Sequence, residues 1–138
     1  MIKIYVGFSI TGAPQEFIES VQRLRTKLKE RYEVMEFVPV SEGAPSDVYR
    51  NDIRECVANC DLMVAVCDLP STGLGYEMAC AVEVGDKPVL AVAHHNTKMS
   101  RLIMGVDHGK YTFRRYQRLD EVEELVHERV RVYFGARP

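Results

Sequence analysis

Two stretches constrain the fold most, DLMVAVC at 61–67 and KPVLAVA at 87–93. Each is a short, continuous apolar run rather than an alternating one, as expected of a strand whose two faces are both covered. A strand covered on both sides needs helices above and below it, and the rest of the chain supplies them. IKIYVGF at 2–8 is rich in β-branched and aromatic residues and reads as a first strand. After Pro14, which suits a first helical turn, Phe17, Ile18, Val21, Leu24 and Leu28 recur at helical spacing. EVMEFV at 33–38 reads as a second strand, SEGAPS at 41–46 as a loop with Ser46 as N-cap, and a helix carrying Asp52 runs on to about Asn59. A short helical turn at 100–104, a short strand at 110–114 and a helix over 119–134 complete the pattern.

This alternation predicts an α/β fold in one domain spanning 1–138, a Rossmann/flavodoxin-like doubly wound parallel sheet of five strands in the order 2-1-3-4-5. In such sheets ligands bind beyond the carboxyl ends of the strands, where the strand order reverses. That rule selects GFSITGAP after the first strand and DLPSTGLG after the third. Both combine glycine with hydroxyl side chains before a helix, which suits a phosphate or other anion, or else a plain turn. Neither is a Walker A loop or a GxGxxG fingerprint.

Glu77 begins an otherwise apolar helix, in its first turn, on a face with Cys80, Ala81 and Val84. Burial beside the sheet raises a carboxyl's pKa, whereas a helix N-terminus favours its ionised form. Asp52 and Tyr5 can converge with it at the carboxyl edge of the sheet. Two carboxylates and a phenol suffice to cleave a glycosidic bond: one attacks or stabilises the anomeric carbon, and another acid protonates the leaving group.

The bulk properties remove other classes. A net charge of −2 argues against nonspecific nucleic-acid binding, and Arg114, Arg115 and Arg118 read as a solvated face. No stretch approaches the roughly 18 apolar residues that cross a membrane, and MIKIYVGFSI lacks a signal peptide's basic start, so a cytoplasmic protein is expected. Cys56, Cys60, Cys67 and Cys80 lie in apolar surroundings and read as reduced, buried thiols. No second pair with metal-ligand spacing follows Cys56 and Cys60, so no metal site is expected.

Four segments resemble the nucleoside 2-deoxyribosyltransferase superfamily, and within it the 2′-deoxynucleoside 5′-monophosphate N-glycosidase branch. They are YVGFSITG at 5–12, DIRECVANCDLMVAV at 52–66, PSTGLGYEMACAV at 70–82 and SRLIMG at 100–105. The resemblance implies Glu77 as nucleophile at C1′, Tyr5 as its hydrogen-bonding partner and Asp52 as general acid at the leaving base. It implies Ser71 with the backbone around Gly73 and Gly75 as the 5′-phosphate seat, and Ser9, Ile10 and Gly12 as pocket lining. Ser100 would reach the phosphate from the neighbouring subunit of a homodimer. A small-molecule nucleotide is the implied partner, and no cofactor is required.

The transferase branch typically places acidic residues before its Gly-x-Gly, where they take a free 5′-hydroxyl. PSTG is uncharged and fits a phosphate, which favours a nucleotide and hydrolysis. Base exchange by a transferase, or nucleotide binding without turnover, are the alternatives. Three positions depart from the branch. Asp52 stands one residue farther from Asp61, Thr11 replaces a basic residue, and Phe37 replaces a His at the end of the second strand, where its ring can stack on a base.

Overall fold

The computed structural model describes residues 1–35 and 43–135. Five parallel strands, β1 (Lys3–Phe8), β2 (Glu33–Met35), β3 (Leu62–Val66), β4 (Val89–His94) and β5 (Tyr111–Tyr116), form one sheet in the order β2-β1-β3-β4-β5. The flavodoxin-like topology expected from the sequence is therefore present. β3 is buried along its whole length and β4 along all but its last residue, as their unbroken apolar runs require. β5 starts and ends slightly later than the sequence suggests. Of the strand read at 33–38, Glu33–Met35 is seen, and the remainder, with Phe37, lies outside the described residues.

Helices α1 (Gln15–Leu28) and α5 (Asp120–Phe134) cover one face of the sheet. The other face carries α2 (Pro45–Tyr49), continued by a π-helical stretch Arg50–Val57, and α3 (Thr72–Ala79), continued by a second π-helical stretch Cys80–Val84. A short α4 (Arg101–Met104) follows β4. Side chains alternate along β1, sending Ile4, Val6 and Phe8 to the α1/α5 face and Tyr5 to the α2/α3 face.

Three local expectations are corrected. Pro14 occupies the N-cap position of α1 rather than its first turn. Ala44, not Ser46, is the N-cap of α2: Pro45, with its φ preset for a helix, takes the first helical position, and the Asp47 carboxylate accepts the Ala44 N–H at 3.1 Å. Val84 does not share the buried face of Glu77 but is 84% exposed. The intervening π-turn explains this, since the Gly85 N–H bonds the Cys80 carbonyl five residues back and the wider turn rotates Val84 outward.

Candidate active site

The strand order reverses between β1 and β3, and the loops leaving their carboxyl ends flank a cleft of about 950 Å³. The chain leaves β1 through Ser9, Ile10 and Thr11 and turns at Gly12, whose φ of +73° is left-handed and suits glycine. It leaves β3 through Asp68, which accepts the Tyr116 hydroxyl and, at 3.3 Å, the His94 N–H. The ends of β3, β4 and β5 are thereby tied together beneath the Pro70–Ser71 segment.

Ser71 is the N-cap of α3, its Oγ accepting the Leu74 N–H at 3.1 Å. The helix thus starts at Thr72, and Gly73 and Gly75 belong to it rather than to a preceding loop. Glu77 in consequence sits in the second turn, not the first as its sequence context suggests. There the helix terminus does little for it, and burial decides its ionisation.

Glu77 is 8% exposed, and burial pushes its carboxyl up to about 7 against the downward pull of the hydrogen bond from Tyr5. That bond, Tyr5 Oη to Glu77 Oε2, spans 2.5 Å. The phenol is itself buried beside a carboxylate, so its pKa rises and it stays a donor. Asp52 raises the Glu77 pKa further by charge and by a hydrogen bond between the carboxyls.

Close approach of α3 to the sheet makes this contact possible. A Cβ added to Gly7 would lie 2.9 Å from Leu74 Cδ1 and 3.4 Å from Glu77 Oε1, so a side chain on β1 at this point would push the helix and its acid away.

Asp52 reaches Glu77 despite its unusual spacing from Asp61. The helix from Arg50 to Val57 is π-helical, with the Ala58 N–H bonding the Ile53 carbonyl. A π-turn takes up one extra residue without ending the helix, and it supplies a physical means of absorbing the longer spacing. At the far end Lys87 Nζ donates to the carbonyls of Ala58 at 2.9 Å and Cys60 at 2.7 Å, closing the helix against the start of β4.

Tyr5, Ser9, Ile10, Asp52, Ser71, Gly73 and Glu77 all line the one cleft. Gly12 and Gly75 border it without being part of its lining, and Phe37 lies outside the described residues. Ser100 is not brought to the cleft of its own chain; it caps α4, where its Oγ accepts the Ile103 N–H at 3.4 Å. The sequence reading passed over Val48, Tyr49 and Tyr76, which also line the cleft. Val48 and Tyr49 precede Asp52 by four and three residues, a spacing that gives them away once Asp52 is taken as a site residue.

None of the four cysteines lines the cleft among the described residues. Burial pushes Cys56 and Cys60 up to about 11 and Cys67 to about 12, away from thiolate reactivity. Among the described residues no three His, Cys, Asp or Glu side chains converge as metal ligands, and no helix is long and apolar enough to cross a membrane.

No family model matches the chain. In sequence it is 29% identical over 133 residues to a Thermofilum pendens protein named "Putative 2'-deoxynucleoside 5'-phosphate N-hydrolase 1", covering 89% of this chain and 91% of that one. In structure it is similar to the CMP N-glycosidase BcmB of Clostridium botulinum, with a TM-score of 0.72, 17% identity, and 91% of this chain and 98% of that one covered. The lysine decarboxylase LdcF of Francisella novicida is more distant, with a TM-score of 0.58 and 12% identity. Its match takes in 96% of this chain but 17% of that one, and it reflects the fold alone. The name of the sequence relative agrees with the resemblance carried by the four segments, and the structural neighbour with the higher TM-score agrees with the fold that this resemblance implies.

Proposed function

We propose that this protein is an enzyme that hydrolyses the N-glycosidic bond of a nucleoside 5′-monophosphate, releasing the free base and the sugar 5-phosphate. The observation that carries this reading is the buried Glu77, gripped by the Tyr5 hydroxyl at 2.5 Å, in a cleft that Asp52 also lines and where Asp52 raises its pKa. A buried acid with two such partners costs stability, and a plain structural helix has no use for it.

In the proposed reaction Glu77 attacks C1′ as a carboxylate. The C1′–N bond breaks, its electron pair passes to the base, and Asp52 delivers the proton that neutralises it. Water then attacks C1′ of the glycosyl–Glu77 ester, Asp52 takes its proton, and the Glu77 carboxylate leaves. Asp52 lines the same cleft and acts directly on the Glu77 carboxyl, so one acid stands beside the nucleophile for both steps, as the covalent route requires. Tyr5 holds Glu77 in position and favours its ionised form.

The 5′-phosphate would sit at the start of α3. Ser71 Oγ accepts from Leu74, which leaves its own proton for the ligand, and the first-turn N–H groups of Thr72 and Gly73 precede the helix ladder. No Lys or Arg lines the described part of the cleft, so a further contact from a second copy fits the arrangement. Ser100 is suited to that role: it lies beside Leu102 and Met104, which are 77% and 40% exposed on the same short helix. A homodimer exchanging this segment is part of the proposal.

The test is a panel of deoxyribo- and ribonucleoside 5′-monophosphates with their parent nucleosides, each with and without a second free base. Free base and sugar phosphate from the monophosphates are expected, and loss of base release in Glu77→Ala by at least roughly a thousandfold. Turnover in Glu77→Ala at the wild-type rate would refute the mechanism. A base-exchange product would instead identify a transferase.

A further inference from the structure

Tyr49 is a large aromatic residue left 40% exposed, yet its ring is held in place from two directions. The Tyr76 ring meets it nearly edge-on, with centroids 6.5 Å apart and planes at 66°. The Arg54 guanidinium carbon lies 5.7 Å from the ring centre. An exposed surface tyrosine has no need of such bracing, and this one lines the catalytic cleft.

Its position relative to the chemistry is specific. Pro45, Val48, Tyr49, Asp52 and Ile53 lie along one side of a continuous helix and all face the cleft. Tyr49 precedes Asp52 by one turn, which puts their Cβ atoms about 5–6 Å apart. A base held against Asp52 for protonation comes within reach of the Tyr49 ring one turn away, since both side chains line the cleft. The described part of this wall holds no Asn, Gln, His, Lys or Arg to pair with a base edge. What it offers is a π-face and apolar contact.

We propose that Tyr49, braced by Tyr76 and Arg54, is the platform on which the nucleobase stacks, and so a binding residue for the aromatic half of the substrate. This rests on reading the cleft as a nucleotide site. Base–aromatic stacking is tolerant of base identity, because every base has a π-face. The platform therefore distinguishes ligands that carry a base from those that do not.

That distinction supplies the test, with dGMP as substrate and 2-deoxyribose 5-phosphate, which has no base, as competing ligand. Tyr49→Ala is expected to raise KM for dGMP by about 5- to 100-fold, with kcat within about threefold and the inhibition constant of the sugar phosphate unchanged. Tyr49→Phe keeps the ring and is expected to restore KM. An unchanged KM in Tyr49→Ala overturns the proposal. So does a parallel weakening of the sugar phosphate, which would make Tyr49 a structural support of the whole cleft. If the wild-type protein released no base from any nucleotide, the hydrolase reading would fail alone, and calorimetric affinities of dGMP and the sugar phosphate for both proteins would still decide the role of Tyr49.

Discussion

The two faces of the sheet are built from the same strands but are packed for different ends. Towards α1 and α5 the strands present Ile4, Val6, Phe8, Val64, Val66, Leu90 and Val92, large and mostly branched, and both covering helices are regular. Towards α2 and α3 they present Tyr5, Met63, Ala65, Val89 and Ala91, with Gly7 between, and both covering helices run into π-helical turns. Bulky residues hold the first pair of helices off the sheet. The small residues of the second face let α3 approach until Glu77 meets Tyr5. The first face keeps the fold, and the second gives up some of that stability to hold an acid out of water.

Replacing Glu77 by Gln sharpens this contrast most, because its two effects have opposite signs. Base release is expected to fall by at least roughly a thousandfold. Stability is expected to rise, in a pH-dependent way. The folded-state pKa of about 7 is above the ordinary 4.5, so the folded protein binds the proton more tightly than the unfolded chain does. Stability associated with Glu77 is thus intact below about 4.5, falls between 4.5 and 7, and is lost above 7, by at most about 3 kcal/mol. Glu77→Gln removes that loss. Denaturant unfolding at pH 8 and pH 4 should show the variant more stable at the higher pH only; equal stability at both would mean that the burial cost is offset within the site.

On the opposite face stability is expected to fall while activity is spared. Leu28 is fully buried at the end of α1, against the sheet and far from the cleft. Leu28→Ala should cost about 2–5 kcal/mol in urea unfolding, and leave kcat of the folded protein unchanged. A fall in kcat comparable to that of a site variant would show that the two faces are coupled through the sheet.

Much of this division could be read from residue order, and the parts that could not have physical causes. The unbroken runs in β3 and β4 announce a sheet covered on both sides, and the reversal of strand order locates the cleft. Glu77 is conspicuous because a carboxylate interrupts an apolar helix. Its depth was harder to read: Ser71 caps α3 earlier than the glycines suggest, and this moves Glu77 from the first turn to the second. The π-turns leave no clear mark on hydrophobic periodicity over five to eight residues, so both the rescue of Asp52 and the exposure of Val84 emerge only in three dimensions. Tyr49 was hidden for another reason. A tyrosine in a polar helix is ordinary until Asp52, one turn further on, is taken as a site residue.

The smallest expected effect, and the finest test of the second face, concerns the two partners of Glu77, which pull its pKa in opposite directions. The hydrogen bond from Tyr5 stabilises the carboxylate and lowers the pKa, whereas Asp52 raises it by charge and by hydrogen bonding to the protonated form. Tyr5→Phe should therefore move Glu77 above 7, and Asp52→Asn should move it below 7. If Glu77 is the nucleophile, the acid limb of kcat/KM in Tyr5→Phe shifts to higher pH, because a larger share of its carboxyl is protonated at any given pH, and raising the pH recovers part of the lost activity. Asp52→Asn also removes the proposed proton donor, so its shift is best followed by NMR titration of the Glu77 carboxyl rather than by rate. Shifts of the same sign in both variants would mean that loss of packing lets water in and governs the site. Opposite signs would leave Tyr5 and Asp52 as opposing controls on how readily Glu77 ionises.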